Sequence, residues 1–150
     1  MKIGLISDTH GLLRPEALDA LRGCDHLVHA GDIGKPHILE ALRELAPLTV
    51  VRGNNDPQEH WPGVAVEQHL RLGEMGLYVT HELADVPEIL PPGTDVVITG
   101  HSHKPLEQRR HGVLFVNPGS AGPRRFKLPI SVALLHVEGR QLRVEFVHLL

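Results

Sequence analysis

The first third of the chain alternates short apolar runs with stretches of helical periodicity. The apolar runs at 2–7, 26–30 and 48–52 are each short enough to form a buried strand. Between them, apolar residues recur at helical spacing after Pro15 and again over Pro36–Leu45, and proline suits the first position of a helix. This alternation predicts a βαβαβ unit, with parallel strands in one sheet and helices packed on its face.

The second half of the chain contains many runs typical of strands and few helical signals. Residues 64–72 alternate apolar and polar side chains, and one short helix is expected at 86–90. The remaining predicted strands cover residues 76–80, 95–99, 113–117, 130–137 and 141–148, with a hairpin turn at 138–140. We expect mostly antiparallel sheet here. Two sheets packed face to face, with helices outside, would accommodate every element in a single α/β domain over residues 1–150.

Composition narrows the class of protein. Hydrophobic residues make up 41% of the 150 residues, which is enough for one compact core. The formal net charge of -3 gives no electrostatic reason to expect nucleic acid as a partner. No apolar run approaches the length of a membrane span, and the first strand reaches Asp8 too early for a secretory signal. Because Cys24 is the single cysteine, we expect a reducing, cytoplasmic location.

Residue types that bind metal ions follow five of the predicted strands. The chain has 12 histidines, a composition that directs attention to metal ligands. In open α/β sheets, ligands bind beyond the carboxyl ends of the strands, so side chains at such positions can converge. The segments at the five strand ends are 8–10 (Asp-Thr-His), 31–32 (Gly-Asp), 53–56 (Gly-Asn-Asn-Asp), His81 and 100–103 (Gly-His-Ser-His).

These side chains suit divalent metal ions. Carboxylates, an amide oxygen and neutral imidazoles together bind Mn, Fe, Zn, Ni or Mg, and the lack of a thiolate argues against a structural zinc site. Two ions about 3.5–4 Å apart can clamp a phosphoryl group and lower the pKa of a water molecule that they share. A site of this kind would suit the hydrolysis of a phosphate ester.

The five segments, in this order, resemble the motifs of the calcineurin-like metallophosphoesterases. The short length and the Asn-Pro-Gly-Ser segment at 117–120 are similar to the small, single-domain YfcE-type phosphodiesterase branch of that family. The resemblance covers nearly the whole chain. It implies a four-layer αββα sandwich of two packed mixed sheets with flanking helices, and a small phosphate ester as the substrate.

The resemblance also implies a role for each residue of the motifs. Two divalent metal ions are expected per chain, with Mn first and Fe, Ni, Zn or Mg as alternatives. A hydroxide between the ions would be the nucleophile, and the catalytic residues would be Asp32, Asn54, Asn55 and His81. The expected ligands are Asp8, His10 and His103 for the first ion, Asn54, His81 and His101 for the second, and Asp32 as the bridge between them.

The sequence departs from the family pattern at two positions. Many larger members carry a histidine where this chain has Asn55, and that histidine is thought to assist the leaving group. An asparagine cannot act as an acid but can donate a hydrogen bond to a phosphate oxygen, so we expect weak activity on poor leaving groups. The second departure is Glu82, followed by Leu83, where the family often has glycine and another histidine.

Several other residues and functions stay open at this point. His29 is expected to pack or to orient a ligand, and His60, Arg124 and Arg125 are weaker candidates for the pocket. Hydrolysis of phosphodiesters is the leading function, with phosphomonoesters second. The alternatives are a non-catalytic protein-interaction scaffold of the same fold, or a single-ion or structural metal site. A homo-oligomer is left open.

Overall fold

The computed structural model describes residues 1–150 and contains ten strands in two five-stranded sheets. Two α-helices lie in the first third of the chain, and one 3-10 turn covers Leu83–Asp85. The elements in chain order are β1 (Lys2–Ile6), α1 (Pro15–Leu21), β2 (His26–His29), α2 (Pro36–Leu45), β3 (Leu48–Val50), β4 (Glu67–Leu72), β5 (Met75–Thr80), β6 (Val96–Ile98), β7 (Leu106–Arg110), β8 (Val113–Asn117), β9 (Ser131–Glu138) and β10 (Gln141–His148).

The first sheet has the strand order β10-β9-β1-β2-β3. Strands β1, β2 and β3 are parallel, with α1 and α2 as the crossover connections, so the predicted βαβαβ unit is confirmed. The predicted hairpin is also confirmed, because β9 and β10 pair in antiparallel fashion around the turn after Glu138. This hairpin adds to the first sheet through β9, which pairs with β1.

The second sheet has the strand order β4-β5-β6-β8-β7. Its three central strands are parallel and its two edge pairs are antiparallel. Because β9 also pairs in antiparallel fashion with β1 and β10, the expectation of a mostly antiparallel second half holds except at the centre of this sheet. The edge strand β7 was not predicted. Its sequence, Leu-Glu-Gln-Arg-Arg, lacks an alternating apolar face because the strand is largely exposed at the sheet edge.

Apolar side chains form a layer on each side of both sheets. Ile3, Leu5, Leu77 and Ile98 belong to the layer between the sheets. A second layer packs α1 and α2 against the first sheet, in keeping with the helical periodicity of the sequence. On the outer face of the second sheet a small cluster contains Tyr78, Val97 and Phe115, with Val86 and Leu90 packed on it.

The four-layer arrangement of two packed mixed sheets is confirmed. The layer on the outer face of the second sheet differs from the expected helix. Residues 86–90 form no helix, so the helix predicted there is wrong. Pro87, Pro91 and Pro92 leave too few residues between them to nucleate a helical turn. The segment instead crosses the second sheet as a loop that follows the 3-10 turn.

No helix in the chain combines the length and the apolar character that crossing a membrane requires.

Candidate metal centre

The carboxyl ends of β1, β2, β3, β5 and β6 lie at one edge of the sandwich, where the two sheets are joined by hydrogen bonds. Nδ1 of His81 donates to the carbonyl oxygen of Ala30 at 2.7 Å, which ties β5 to the end of β2. The backbone N–H of His101 donates to Oδ2 of Asp8 at 3.0 Å, which ties the loop after β6 to the end of β1. Residues from both sheets therefore meet at this edge.

Six of the seven predicted metal ligands form two groups of three. Within each group, one potential ligand atom per residue lies within 4.8 Å of the others. The first group has the three residues expected at the first ion, whereas the second combines His81 and His101 with Asp32 and does not include Asn54. The two groups are Asp8, His10 and His103, and Asp32, His81 and His101.

Asp8 is fully buried and its two carboxylate oxygens have different surroundings. Oδ2 accepts hydrogen bonds from Ser7 Oγ at 2.7 Å and from the backbone of His101. Oδ1 faces Nε2 of His103 at 3.3 Å and Nε2 of His10 at 3.6 Å. Burial raises the pKa of Asp8, but the nearby imidazoles of His10 and His103 and the hydrogen bond from Ser7 outweigh it and hold the pKa far below its ordinary value. The group is therefore a carboxylate at neutral pH.

Asp32 lies between the two groups. Its Oδ2 is 3.2 Å from Nε2 of His81 and 3.7 Å from Nε2 of His10, so it contacts one imidazole of each group. Burial raises the pKa of Asp32, but the contact with His81 and the hydrogen bond from the Asn55 backbone lower it overall. Asp32 is thus a second carboxylate that faces imidazoles of both groups, as does Asp8, whose Oδ1 lies 3.9 Å from Nε2 of His81.

His81 presents its ring nitrogen Nε2 to the two carboxylates. Because Nδ1 donates to Ala30, a neutral imidazole has its lone pair on Nε2, which faces Asp32. Burial lowers the pKa of His81, yet the nearby Asp32 and Asp8 raise it above the ordinary value. The position at Nε2 therefore attracts positive charge, either a proton or a metal cation.

Asn54 and Asn55 occupy the turn after β3 and differ in their contacts. Asn54 is exposed and lines a cavity of about 350 Å³ together with His81. Asn55 donates its backbone N–H to Oδ1 of Asp32 at 2.9 Å and its side-chain amide to Oδ2 at 3.1 Å. The amide that was expected to meet a phosphate oxygen thus contacts the shared carboxylate.

The second departure from the family pattern, Glu82, also lies at the site. Its Oε1 is 3.1 Å from Nε2 of His101, and both side chains are partly exposed. Sequence reasoning identified Glu82 as unusual but assigned it no role. The contact adds a third carboxylate beside the group of Asp32, His81 and His101.

The backbone is strained at most of the candidate ligands. Seven non-glycine residues have positive φ, and five of them are predicted metal ligands. A left-handed conformation costs about 1 kcal/mol for a residue with a β-carbon, and such strain clusters at functional sites. The five are Asp8 (φ 56), His10 (φ 46), Asp32 (φ 55), His101 (φ 71) and His103 (φ 64).

Two glycines allow the close approach of the loops. A β-carbon at Gly53 would lie 2.2 Å from Oδ1 of Asp32, and one at Gly100 would lie 2.1 Å from Oγ of Ser7 and 2.8 Å from Oδ2 of Asp8. Any larger residue at either position would displace one of the two carboxylates. Steric crowding therefore explains why glycine precedes the ligand residues in these motifs.

Buried polar atoms without hydrogen-bond partners concentrate at the same place. They include Oδ1 of Asp8, Nε2 of His10 and Nε2 of His81, which all face the space between the carboxylates. Buried polar groups are nearly always paired, and leaving each unpaired costs about 1–3 kcal/mol. Divalent cations would partner these oxygen and nitrogen atoms, so the residues fit the metal ions that the sequence implied.

Asp56, to which the sequence analysis assigned no role, holds two of the loops in place. Asp56 is buried and accepts hydrogen bonds from the backbone of Ile33, Gly34 and Gly53, at 2.8–3.2 Å. It therefore joins the loop after β3 to the loop after β2. Its place in the 53–56 motif indicated that Asp56 would lie near the site. The spacing of the motif did not indicate that this carboxylate would hold the loops together.

His29 supports the site without belonging to either ligand group, as expected. Nδ1 accepts from the backbone of Gly31 at 3.1 Å, and Nε2 contacts Oγ1 of Thr9 at 3.0 Å. Because the Thr9 hydroxyl donates to Ile33, Nε2 of His29 must donate, which fixes the neutral tautomer. Burial lowers the pKa of His29 to about 4.

The segment 117–120 braces the loop that carries His101 and His103. The Asn117 amide donates to the carbonyl oxygen of Gly100 at 2.9 Å and to Ser102 Oγ at 3.1 Å. Ser120 Oγ donates to the carbonyl oxygen of Asp8 at 3.1 Å. The expected place of this segment near the site is confirmed. Of the weaker candidates, His60 is exposed and belongs to neither ligand group, whereas Arg125 lines a cavity beside His103.

A family comparison agrees with this geometry. The sequence model of the calcineurin-like phosphoesterase superfamily domain matches residues 1–140. The chain belongs to the calcineurin-like phosphoesterase superfamily. It is therefore a metal-dependent phosphoesterase, and the resemblance stated from its motifs is confirmed.

Curated relatives and solved structures support the family assignment. A probable metallophosphoesterase of Methanothermobacter thermautotrophicus is 35% identical, with 98% of this chain and 92% of that protein covered. Phosphodiesterase YfcE of Escherichia coli K12 is 31% identical, with 90% and 87% covered, and the solved YfcE phosphoesterase superposes with a TM-score of 0.74 over 99% of this chain and 100% of that one. Vps29 of Entamoeba histolytica, solved with Zn²⁺, shares the fold at 23% identity and a TM-score of 0.74, with 99% of each chain covered.

Proposed function

We propose that this chain is a phosphodiesterase that hydrolyses small phosphodiesters with two bound divalent metal ions. The observation that carries the proposal is the position of Asp32, whose Oδ2 lies 3.7 Å from Nε2 of His10 and 3.2 Å from Nε2 of His81. One carboxylate thus contacts an imidazole of each ligand group, as a residue shared by two ions must.

The proposed ligand sets combine the residues of the two groups with Asn54, which lines the adjoining cavity. Asp8, His10 and His103 would hold the first ion, Asn54, His81 and His101 the second, and Asp32 would contact both. Oxygen and imidazole donors without sulfur fit Mn²⁺, with Fe, Ni, Zn or Mg as alternatives. When bound, two such ions neutralise charge on the phosphate and lower the pKa of a water molecule, which then provides the hydroxide nucleophile.

The remaining work falls to residues of the chain. In hydrolysis the water oxygen bonds to phosphorus, the bond from phosphorus to the leaving oxygen breaks, and that oxygen takes up a proton. The lowered pKa values of Asp8 and Asp32 keep both carboxylates charged, and the hydrogen bonds of Asn55 orient Asp32. Asn55 cannot supply the proton, so substrates with good leaving groups should react best.

The charge around the cavity beside Asn54 favours diesters over monoesters. Glu67, Glu82 and Asp85 line this cavity, and Arg52 is the single cation among its lining residues. Carboxylates repel the dianion of a monoester more strongly than the monoanion of a diester. The curated relative YfcE is named a phosphodiesterase, which points in the same direction.

A non-catalytic scaffold of the same fold is the second candidate. A surface that only docks another protein has no physical need for buried carboxylate oxygens and imidazole nitrogens without hydrogen-bond partners. The oxygen of Asp8 and the ring nitrogens of His10 and His81 lie in such an environment, and this observation favours the enzyme.

The deciding experiment measures hydrolysis and metal content together. Metal-free protein is titrated with Mn²⁺, bound ions are counted, and hydrolysis of bis-p-nitrophenyl phosphate is compared with that of p-nitrophenyl phosphate. We expect two ions per chain and faster cleavage of the diester. Asp32→Asn should lose cleavage and bind Mn²⁺ more weakly, while Asp19→Asn, an exposed change on α1, should behave as the unchanged protein. Two bound ions without cleavage of either ester would refute the proposal.

A further inference from the structure

A second cavity adjoins the metal centre on the side of His103. It has a volume of about 660 Å³ and lies between Ser102, His103 and Lys104 on one side and the turn 125–128 on the other. His103 itself is buried and belongs to the ligand group of Asp8. Anything bound in this cavity therefore lies directly beside the candidate metal centre. We call it the basic groove.

The charge of the basic groove is opposite to that of the cavity on the other side of the site. Lys104, Arg125 and Lys127 line the groove, and no acidic residue does so. None of these three side chains takes part in an ion pair of the protein. Four of the 11 residues that line the cavity beside Asn54 and His81 are acidic, and Arg52 is the single Lys or Arg among them. In a chain of net charge -3, this separation orients an asymmetric anion with its extra charge toward the groove.

An aromatic side chain stands among these cations without any packing role. Phe126 is 94% exposed and has a φ of 53°, so it combines apolar exposure with a strained backbone. The backbone N–H of Leu128 donates to the carbonyl oxygen of Arg125 at 3.0 Å, which closes the turn that presents the ring. Folding alone gives no reason for this arrangement, whereas a flat aromatic ligand would gain stacking on Phe126.

We propose that the basic groove binds one arm of the phosphodiester substrate, and that this arm carries a flat aromatic ring and a further anionic group. A nucleoside with a second phosphate has this chemistry. Phe126 would stack on the ring, and Lys104, Arg125 and Lys127 would pair with the additional anion. The inference rests on the proposed phosphodiesterase function, because it names the substrate class of the same site.

Binding of three probes to the Mn²⁺-loaded full chain tests the inference without requiring catalysis. The probes are methyl phosphate, thymidine 5′-monophosphate and thymidine 3′,5′-bisphosphate, measured by titration calorimetry. They differ stepwise by the ring and by the second anion. We expect about 10-fold tighter binding for each step, in line with stacking on an aromatic side chain and charge-assisted pairing. Raising the salt concentration should weaken the second step more than the first.

Two variants separate the two contributions. Phe126→Ala should remove the advantage of the monophosphate over methyl phosphate, and the double change Arg125→Ser with Lys127→Ser should remove the advantage of the bisphosphate. All three side chains are exposed, so the fold should tolerate the changes. The matched controls are Ile89→Ala, an exposed apolar residue, and Arg109→Ser, an exposed cation on β7, and both should keep the full preference.

The outcomes distinguish this inference from the proposed function. Equal binding of the three probes, or variants with the preference of the unchanged protein, would overturn the groove assignment even if bis-p-nitrophenyl phosphate is cleaved normally. Absence of hydrolysis by the unchanged protein would overturn the proposed function, whatever the binding preference. Stepwise binding that is lost in the matching variants and kept in the two controls, together with cleavage of bis-p-nitrophenyl phosphate by the unchanged protein, would support both.

Discussion

Asn55 holds Asp32 from two directions, with its backbone N–H on Oδ1 at 2.9 Å and its side-chain amide on Oδ2 at 3.1 Å. Both oxygens of the shared carboxylate are therefore oriented by one residue of the turn after β3. Many larger family members have a histidine at this position. Here the asparagine positions the carboxylate, which gives the departure from the family pattern a structural role.

The first prediction concerns this contact. Asn55→Ala should weaken Mn²⁺ binding and lower kcat about 10-fold, because residues that orient a metal ligand typically contribute about 10–100-fold to metal affinity or activity. We expect the lower end of this range because the backbone hydrogen bond from residue 55 to Asp32 is retained in the variant. Calorimetry and steady-state kinetics measure it, with the exposed Gln58→Ala from the same loop as the control. A raised KM with unchanged metal affinity would instead indicate that Asn55 contacts the substrate phosphate.

The second prediction concerns metal binding and stability. Adding Mn²⁺ at 100 times its Kd should raise the free energy of unfolding of the metal-free protein by about 2.7 kcal/mol per site, because the ions bind only the folded state. At the same Mn²⁺ concentration, Asp8→Asn should gain less free energy of unfolding, since Asp8 is buried between the imidazoles of His10 and His103. Thermal unfolding with and without chelator measures it. An unchanged gain in Asp8→Asn would exclude Asp8 as a ligand.

The third prediction concerns Glu82, which faces His101 at 3.1 Å. Glu82→Gln removes a negative charge beside the second ligand group and should weaken the binding of one Mn²⁺ ion about 10-fold, leaving the other ion unaffected. Glu88→Gln, an exposed change in the following loop, is the matched control. Two-site calorimetric titration resolves the ions. Equal weakening of both sites would show a general charge effect instead of a local one.

The fourth prediction concerns pH. The unfolded chain takes up a proton at His29 near pH 6.5, whereas the folded chain does so only near pH 4. Its contribution to stability is therefore complete above pH 6.5 and falls, as the pH drops from 6.5 to 4, by about 3 kcal/mol.

The variant His29→Asn isolates this contribution, because asparagine does not titrate and its oxygen can accept from Gly31. Urea unfolding of the metal-free proteins at several pH values measures the difference. The stability of the unchanged protein should fall relative to His29→Asn as the pH drops through this range. A constant difference between them would mean that His29 is not held neutral.

The fifth prediction concerns Asn117. Replacement by alanine leaves the carbonyl oxygen of Gly100 and the N–H of Gly119 without partners, which should lower the free energy of unfolding by about 2 kcal/mol. Affinity for Mn²⁺ should fall as well, since the same loop carries His101 and His103. Urea unfolding and calorimetry measure both quantities. Asn117→Asp keeps the acceptor for Gly119 and should be the milder change; if it were the more harmful one, the donor contacts would be the dominant ones.

The candidate site was largely predictable because its residues stand at strand ends. The order of the motifs and the apolar runs before them indicated which side chains would meet, and the structure brings six of them into two groups. Asp56 and Glu82 were not assigned because their partners, Ile33 and His101, are distant in sequence. The role of each ligand, the two bound ions and the cytoplasmic location expected from Cys24 stay predictions.

Each error in the fold has its own physical cause. The strand β7 carries Glu, Gln and Arg because an edge strand needs no buried face, so no alternation marked it. The helix expected at 86–90 did not form because Pro87 lies within it and Pro91 and Pro92 follow it directly. The parallel centre of the second sheet was not predicted, because the pattern of a single strand does not encode which strand is its neighbour.

The sequence by itself determined the βαβαβ unit, the family and the set of candidate ligands, because local periodicity and strand-end motifs depend on neighbouring residues. Only the tertiary structure decided that β9 joins β1, that the amide of Asn55 faces Asp32, and that Phe126 stands among cations beside His103. These relationships arise from packing between segments that are far apart in the chain. The sequence pattern around a residue does not indicate which distant residue it will contact.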